Sequence, residues 1–450
     1  MLKITSSKVL LFPLLALFLV VISMPMQPCS SAYAQGSESE CWAVVVGISD
    51  YEWIDDLRYS DDDARDLFNQ LAPIWGEDHI KLLVDSEAAK ANIHDAIYNW
   101  LDPREDEDDV VLFFFSGHGS RGYLCPYDSL TDSYANNIRG EELDSWLDTL
   151  DSNKVVVVLG TCYAGGFISD LWGSGRVILA SSDANESSWE NMALGHGVFS
   201  YYLLEAFDNL ELVDTNGDYE ISAEEIFYYV EPKVVAFEEA WGEDQHPELG
   251  DGYVGQLGLF CQATFDASPD VISLTIDGTT YSPAELPTSF LWLPGSVHDC
   301  GAPSWVSGGT GTQYLFTSWS DGNASPSRTI SQGGEYAANY LTQYYLTVES
   351  DYGNPQGEEW YNSGSTAVVS VTSPQGLIIR QVCTGWSGDS TATTPTTTIL
   401  MDKPKAVTAN WRTDYVQLYI LIGGVLGFAG VVSALVTLII RRRRAPLEEV

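Results

Sequence analysis

The chain has 450 residues, a formal net charge of −42, 45% hydrophobic residues and 39 glycines. That much apolar material excludes wholesale disorder and leaves room for two or three domains with cores of their own. The negative charge excludes nucleic acid and anionic lipid as partners of the main body, because the electrostatic contribution would be repulsive.

Residues 1–34 carry Lys3 and Lys8, an apolar stretch from Val9 to Ile22, and Ala32-Tyr33-Ala34 ahead of Gln35. This is the layout of a secretory signal peptide, and it predicts that Cys29 and everything before Gln35 is missing from the mature protein. From 40 to 262 strand-like and helix-like segments alternate. Strands are expected at 42–48, 81–84, 110–116, 155–159 and 177–180, and helices at 60–71, 90–101, 140–150 and 198–207. Ser60 followed by Asp63 reads as the cap of the first helix. Such alternation implies an α/β domain with a mostly parallel sheet and helices on both faces.

Two of these strands stand out. Val155-Val156-Val157-Val158-Leu159 runs without a polar residue into Gly160-Thr161-Cys162-Tyr163-Ala164-Gly165-Gly166, and Val110-Val111-Leu112-Phe113-Phe114-Phe115-Ser116 runs into Gly117-His118-Gly119. Unbroken apolar runs of this kind suit strands buried on both faces of a parallel sheet. Open α/β sheets place their chemistry at the carboxyl edge. If the two strands are neighbours, Cys162 and His118 leave the sheet together, a thiol beside an imidazole that can favour the nucleophilic thiolate. Histidine also occurs in Gly195-His196-Gly197, where a turn or helix-entry role is expected.

Further along, Asp214, Asn216, Asp218, Glu220, Ser222 and Glu225 present oxygen at the spacing of an EF-hand calcium loop, with Tyr219 where glycine is usual. A structural Ca²⁺ is the expectation and an acidic turn without an ion the alternative. Beyond Ala263 the texture turns to Thr, Ser, Gly, Tyr and Trp. Leu274-Thr275-Ile276 matches Leu346-Thr347-Val348, Phe316-Thr317-Ser318-Trp319 matches Cys383-Thr384-Gly385-Trp386, and Ala338-Asn339-Tyr340 matches Ala409-Asn410-Trp411, offsets of about 70 residues that predict tandem small β modules at 263–343 and 344–413. Their expected job is to hold the first domain away from a membrane, with ligand binding as the alternative. Residues 416–440 carry no charge and precede Arg441-Arg442-Arg443-Arg444, which predicts a single membrane-spanning helix with 441–450 as a cytoplasmic tail and the N-terminal domains outside the cell membrane. Six cysteines follow the signal segment: Cys41, Cys125, Cys162, Cys261, Cys300 and Cys383. With Cys162 free, at most two disulfides can form.

Ser116-Gly117-His118-Gly119 and Thr161-Cys162-Tyr163-Ala164-Gly165-Gly166, in this order on such strands, resemble the caspase, metacaspase and legumain superfamily of cysteine peptidases. The resemblance covers about 40–254 and includes Trp42-Ala43-Val44-Val45-Val46-Gly47-Ile48-Ser49, Leu57-Arg58-Tyr59-Ser60-Asp61-Asp62-Asp63-Ala64 and Ala184-Asn185-Glu186-Ser187-Ser188-Trp189. It implies a caspase-like fold and acyl transfer without a catalytic cofactor. Cys162 attacks the scissile carbonyl of a protein or peptide, His118 protonates the leaving amine and later activates water, and the backbone N–H groups of Gly119 and Cys162 face the oxyanion. Metacaspases, which cut after Arg or Lys, place an aspartate where this chain has Gly160. Arg58 stands where caspases and legumain place a pocket arginine, and Ser188 matches a legumain pocket serine. The resemblance therefore implies cleavage after Asp or Asn, while a solvated surface charge beside Asp55 and Asp56 is the other reading of Arg58. The expectation is a membrane-anchored, extracytoplasmic cysteine endopeptidase. The alternatives are a catalytically silent surface binding protein and a transpeptidase using the same dyad.

Overall fold

The computed structural model describes residues 39–443. The expected signal peptide, with Cys29, and residues 444–450 of the expected tail lie outside the described residues.

Six strands form the first sheet: β1 (Cys41–Gly47), β2 (Ile80–Val84), β3 (Val110–Ser116), β4 (Val155–Gly160), β5 (Arg176–Ala180) and β6 (Glu248–Asp251), in the order β6-β5-β4-β3-β1-β2. All pairs are parallel except β6 on β5. Every residue of β1 and β3 is buried, as strands covered on both faces require. Their period of two splits them between two cores. Val45, Phe114 and Val158 meet Leu67 and Leu71 of α1 (Ser60–Trp75), Phe199 of α4 (Val198–Phe207) and Val230 of α5 (Ala223–Trp241). Val44, Phe113 and Val157 meet Ile93 of α2 (Lys90–Asp95) and Leu143 of α3 (Gly140–Leu147) on the other face.

The sheet and its helices thus match the expected α/β class, with local differences. Helix α1 extends to Trp75 and has no side-chain cap; Asp63 turns inward instead. The segment expected as one helix over 90–101 changes to a π-helical turn at Ala96–Leu101. Strand β6 was not anticipated, because Glu248-Leu249-Gly250-Asp251 has too little apolar character to signal an edge strand.

The β region has no linkers at the expected boundaries. Strand β7 (Gly258–Ser268) pairs first with the short strand Glu220–Ser222 of the α/β domain and then, parallel, with β12 (Gly334–Glu349), so the 262/263 boundary lies inside a strand. The 343/344 boundary falls in the middle of β12, a 16-residue strand. Its first half pairs with β7 and β10 (Thr312–Trp319), and its second half with β16 (Lys405–Asp414). Two of the three sequence matches are structural equivalents. Strands β10 and β14 (Arg380–Gly388) each carry a bulge, after Phe316 and after Cys383, and each pairs antiparallel with the strand that holds Ala338 or Ala409. Trp319 and Trp386 are buried, and their indole N–H groups donate to the carbonyls of Ser325 at 2.9 Å and Thr394 at 3.0 Å. The third match fails: β8 (Leu274–Ile276) lies in a second sheet against β9 (His298–Gly301), whereas Leu346 belongs to the shared strand β12.

Helix α6 (Val416–Arg443) is exposed along its described length and is long and apolar enough to cross a bilayer. All six described cysteines are free, within the bound of at most two disulfides.

Candidate active site

Strands β3 and β4 are neighbours in register, Ser116 opposite Gly160, so the loops carrying His118 and Cys162 leave the same edge. Gly117 N–H donates to Gly160 O at 3.3 Å and ties the loops together. Gly119 lets them touch: a Cβ there would strike the Thr161 side chain and crowd the Cys162 carbonyl.

His118 is held at both ends. Its backbone N–H donates to the Tyr51 hydroxyl at 2.7 Å, and Nε2 lies 2.8 Å from the Asp55 carbonyl. A carbonyl only accepts, so this contact requires a proton on Nε2, and the neutral tautomer that it selects has Nδ1 as the acceptor. Burial pushes the Tyr51 phenol up, which keeps that support neutral. Cys162 is partly exposed, and its Sγ sits 3.7 Å from the Ser188 carbonyl. The next residue, Tyr163, has φ +62°, a left-handed conformation that costs a non-glycine residue and recurs at functional turns. Hydrogen bonds to the adjoining loop hold it there, from Tyr163 N–H to Glu186 O and from Gly165 N–H to Ser182 O, both 2.8 Å. The other described cysteines are buried, and burial raises the thiols of Cys125, Cys261 and Cys300 to about 11 and that of Cys41 further. They behave as small hydrophobes.

A cleft of about 40 Å³ opens between the two loops, lined by His118, Cys162, Ser188, Trp189, Glu190 and, at its base, Asp63. Asp63 is 1% exposed and accepts the Ser116 hydroxyl at 2.8 Å, His196 Nδ1–H at 2.9 Å and Gly197 N–H at 3.2 Å. Glu190 accepts the backbone N–H groups of Arg58 and Tyr59 at 3.0 and 2.9 Å. Arg58, the expected pocket arginine, is exposed and is not among the residues that line the cleft, which its main-chain N–H reaches through Glu190. Ser188 does line the cleft, its hydroxyl 3.3 Å from Gln245 Nε2. His196 stands at the entry to α4, as expected, but also contacts Asp63, which raises its pKa above the ordinary histidine value.

Sequence reasoning missed Asp63, Glu190, Tyr51 and the Asp55 carbonyl. Only Asp63 had a readable signal. It precedes Leu67 and Leu71 by one and two helical repeats of four, so it stands on the buried stripe of α1, where an acid has a reason to be. It makes no cap for α1, contrary to the expectation from Ser60 and Asp63.

The expected calcium loop folds into a closed turn. Asp214 accepts the N–H groups of Gly217 at 2.7 Å and Tyr219 at 3.0 Å, and Asp218 accepts that of Glu220 at 2.9 Å. Tyr219 takes φ +65°, the conformation for which the loop ordinarily uses glycine. Glu225 caps α5 with Ser222 and also accepts from Thr215. Asn216 bonds Asp218 and Gln256. Among the described residues, the acids whose oxygens gather closely are Asp106, Asp108 and Asp109 rather than these.

A partly exposed thiol and an imidazole thus leave the same edge of a mostly parallel α/β sheet. Residues 40–251 match the family model described as Caspase domain, and this domain belongs to the caspase and metacaspase superfamily of cysteine peptidases. No curated protein matches the chain.

Proposed function

We propose that the domain is an endopeptidase that works through Cys162 and His118 and cleaves after a basic residue. The observation that carries the specificity is Asp63, a buried carboxylate at the base of the cleft, with Glu190 in its wall and no Arg or Lys among the residues that line it. A carboxylate has about four acceptor positions, and Asp63 uses three, so one remains for an incoming cation. The alternative is cleavage after Asp or Asn, which rests on Arg58. The cleft has room for a water or two rather than a side chain, so its walls part when substrate enters.

His118 Nδ1 takes the thiol proton, and Sγ forms a bond to the scissile carbonyl carbon. The resulting oxyanion is taken up by the backbone N–H groups of Gly119 and Cys162. The C–N bond then breaks, with the proton passing from Nδ1 to the leaving amine. Water, deprotonated by the same nitrogen, releases the acid and restores the thiol. The apolar helix α6, ended by Arg441, Arg442 and Arg443, supports a single membrane span with the peptidase outside and the arginines in the cytoplasm. The β modules serve as its stalk.

The test is a peptide-library profile of the full chain, with a peptidyl electrophile to trap the nucleophile. Arg or Lys at the cleaved position and an adduct on Cys162 are expected. A dominant Asp or Asn would return the pocket to an unidentified cation, and the lack of both turnover and adduct would favour a silent binding protein. In the 214–225 loop we propose a structural Ca²⁺, supported by the oxygen spacing and the left-handed Tyr219. Asp214 and Asp218 each accept two hydrogen bonds and keep acceptor positions to spare, so an ion can be added without breaking the turn. Calcium should raise Tm relative to chelator, and Asp214→Ala should remove the difference; equal Tm values in the unmodified protein would overturn the calcium reading.

A further inference from the structure

We infer that the loop Gly376-Leu377-Ile378-Ile379 is a second membrane contact, dipping into the outer leaflet beside α6. The inference rests on the membrane reading of α6 and extends it to a segment with no sequence signature of its own.

Leu377 is 91% exposed, Ile378 45% and Ile379 51%, three consecutive large aliphatic residues facing solvent. The chain holds them out deliberately. Gln375 and Gln381 exchange two backbone hydrogen bonds of 2.8 Å, which pinch off the tip, and Gly376 turns it with φ +90°. Runs of exposed apolar side chains on a soluble surface mark an interaction site.

The register says what covers them. Strand β14 begins at Arg380, opposite Asp414 at the end of β16, and the two strands are antiparallel. The residues before Arg380 therefore project past that end of the sheet, in the direction in which β16 runs out toward α6. Asp414 links the two. Its carboxylate pairs with Arg380 at 3.4 Å and accepts the Val416 N–H at 2.9 Å, the first residue of the helix. The apolar tip is thus clamped to the point where the chain enters the membrane.

A second strand agrees. The end of β12 runs parallel to β16, so the turn after it emerges on the same side. That turn carries Tyr352, 44% exposed and packed edge-on against Trp411, and Tyr415 and Tyr419 follow at the start of α6. Tyrosines at this level are what a lipid interface selects. The body is too acidic to be drawn to anionic lipid, so the contact is apolar, and Arg380 is the cation nearest the tip in sequence. Because β7 and β12 run from the peptidase side to the last module without a linker, a helix and a loop at one end fix the tilt of the whole stalk.

The test uses the full chain in phosphatidylcholine vesicles, with Cys162→Ala to remove the exposed thiol and an environment-sensitive fluorophore on one added cysteine. Leu377→Cys reports the loop, with Ile378→Cys as a second site. Val425→Cys reports the helix, and Val254→Cys, 94% exposed in the peptidase half, reports solvent. An interfacial element buries its apolar side about 5–10 Å into the headgroup and acyl boundary. The Leu377 probe should therefore shift to the blue and lose intensity to a lipid nitroxide near the carbonyl end of the acyl chain more than to one near the methyl end. Val425 should show the reverse order, and Val254 neither. Quenching at Val425 but not at Leu377 or Ile378 would overturn the loop contact while leaving the membrane span intact. A blue shift at Leu377 that is insensitive to lipid nitroxide and grows with protein density would also overturn it, in favour of a second copy. No quenching at Val425 would remove the span and the loop contact together.

Discussion

The first sheet is built around unbroken, buried apolar strands and the β modules, called the stalk after their proposed role, from strands that mix buried and exposed residues, and only the first concentrates chemistry. Between the parallel strands of the first sheet the connections cross back over a face, so β3 and β4 both end at one edge, and His118 and Cys162 are delivered there with Asp63 from the first turn of α1. In the stalk, β12 passes from one module into the next without a turn, and its polar neighbours are satisfied locally, as the Trp319 and Trp386 indoles are by carbonyls six and eight residues on. The contrast teaches that functional groups collect where crossovers end, and that an uninterrupted strand transmits position instead.

The largest expected effect breaks the comparison at its chemical end. Cys162→Ala or His118→Ala should lower kcat/KM by about four orders of magnitude or more, the scale on which a nucleophile and its base act as a unit. Tm should stay within a degree or two, because both side chains sit in loops beyond the sheet. Turnover surviving in Cys162→Ala would end the assignment.

The stalk should show the opposite pattern. Trp319→Ala and Trp386→Ala each remove a buried indole and should cost about 3–5 kcal/mol of stability, seen as an earlier unfolding transition, with kcat of the folded protein unchanged. If the two modules were independent, only the mutated one would melt early. The shared strand β12 predicts that either substitution destabilises both, which differential scanning calorimetry would show as one transition rather than two.

How much of this could be read beforehand follows the same division. The buried strands and the His118 and Cys162 loops were legible because apolar runs and flanking glycines are local signals. The pocket was not, since it is assembled from α1, the Trp189-Glu190 segment and the entry to α4, and no spacing in the chain brings Asp63 to Glu190. The exposure of Arg58 was not legible for a related reason: a charge beside a motif has no direction until the backbone gives it one. In the stalk the repeat was legible from Trp319 and Trp386, whereas the missing linkers were not, because a strand that serves two modules looks like two strands.

The smallest expected effect tests whether the base of the cleft belongs to the chemistry or only to the packing. His196 donates to Asp63 and faces Asp62, Asp63 and Asp66 of α1 and Tyr201 of α4. The hydrogen bond to Asp63 is the main reason its pKa is raised, and burial opposes it. An imidazolium there offsets part of the Asp63 charge, and its loss exposes that charge to an incoming Arg or Lys. As pH rises through the titration of His196, KM for a basic substrate should therefore fall, by up to about tenfold if the coupling is near one pK unit. Stability should move the other way. A histidine whose folded pKa is raised stabilises the fold fully below its unfolded value of about 6.5, and that stabilisation is lost as pH climbs through the folded value. Tm should thus decline over the window in which KM improves. His196→Gln keeps an N–H for Asp63 without the charge, so both dependences should flatten while kcat, set by Cys162 and His118, keeps its own pH profile. A KM–pH curve unchanged by His196→Gln would confine His196 to packing and leave Asp63 to recruit the cation unassisted.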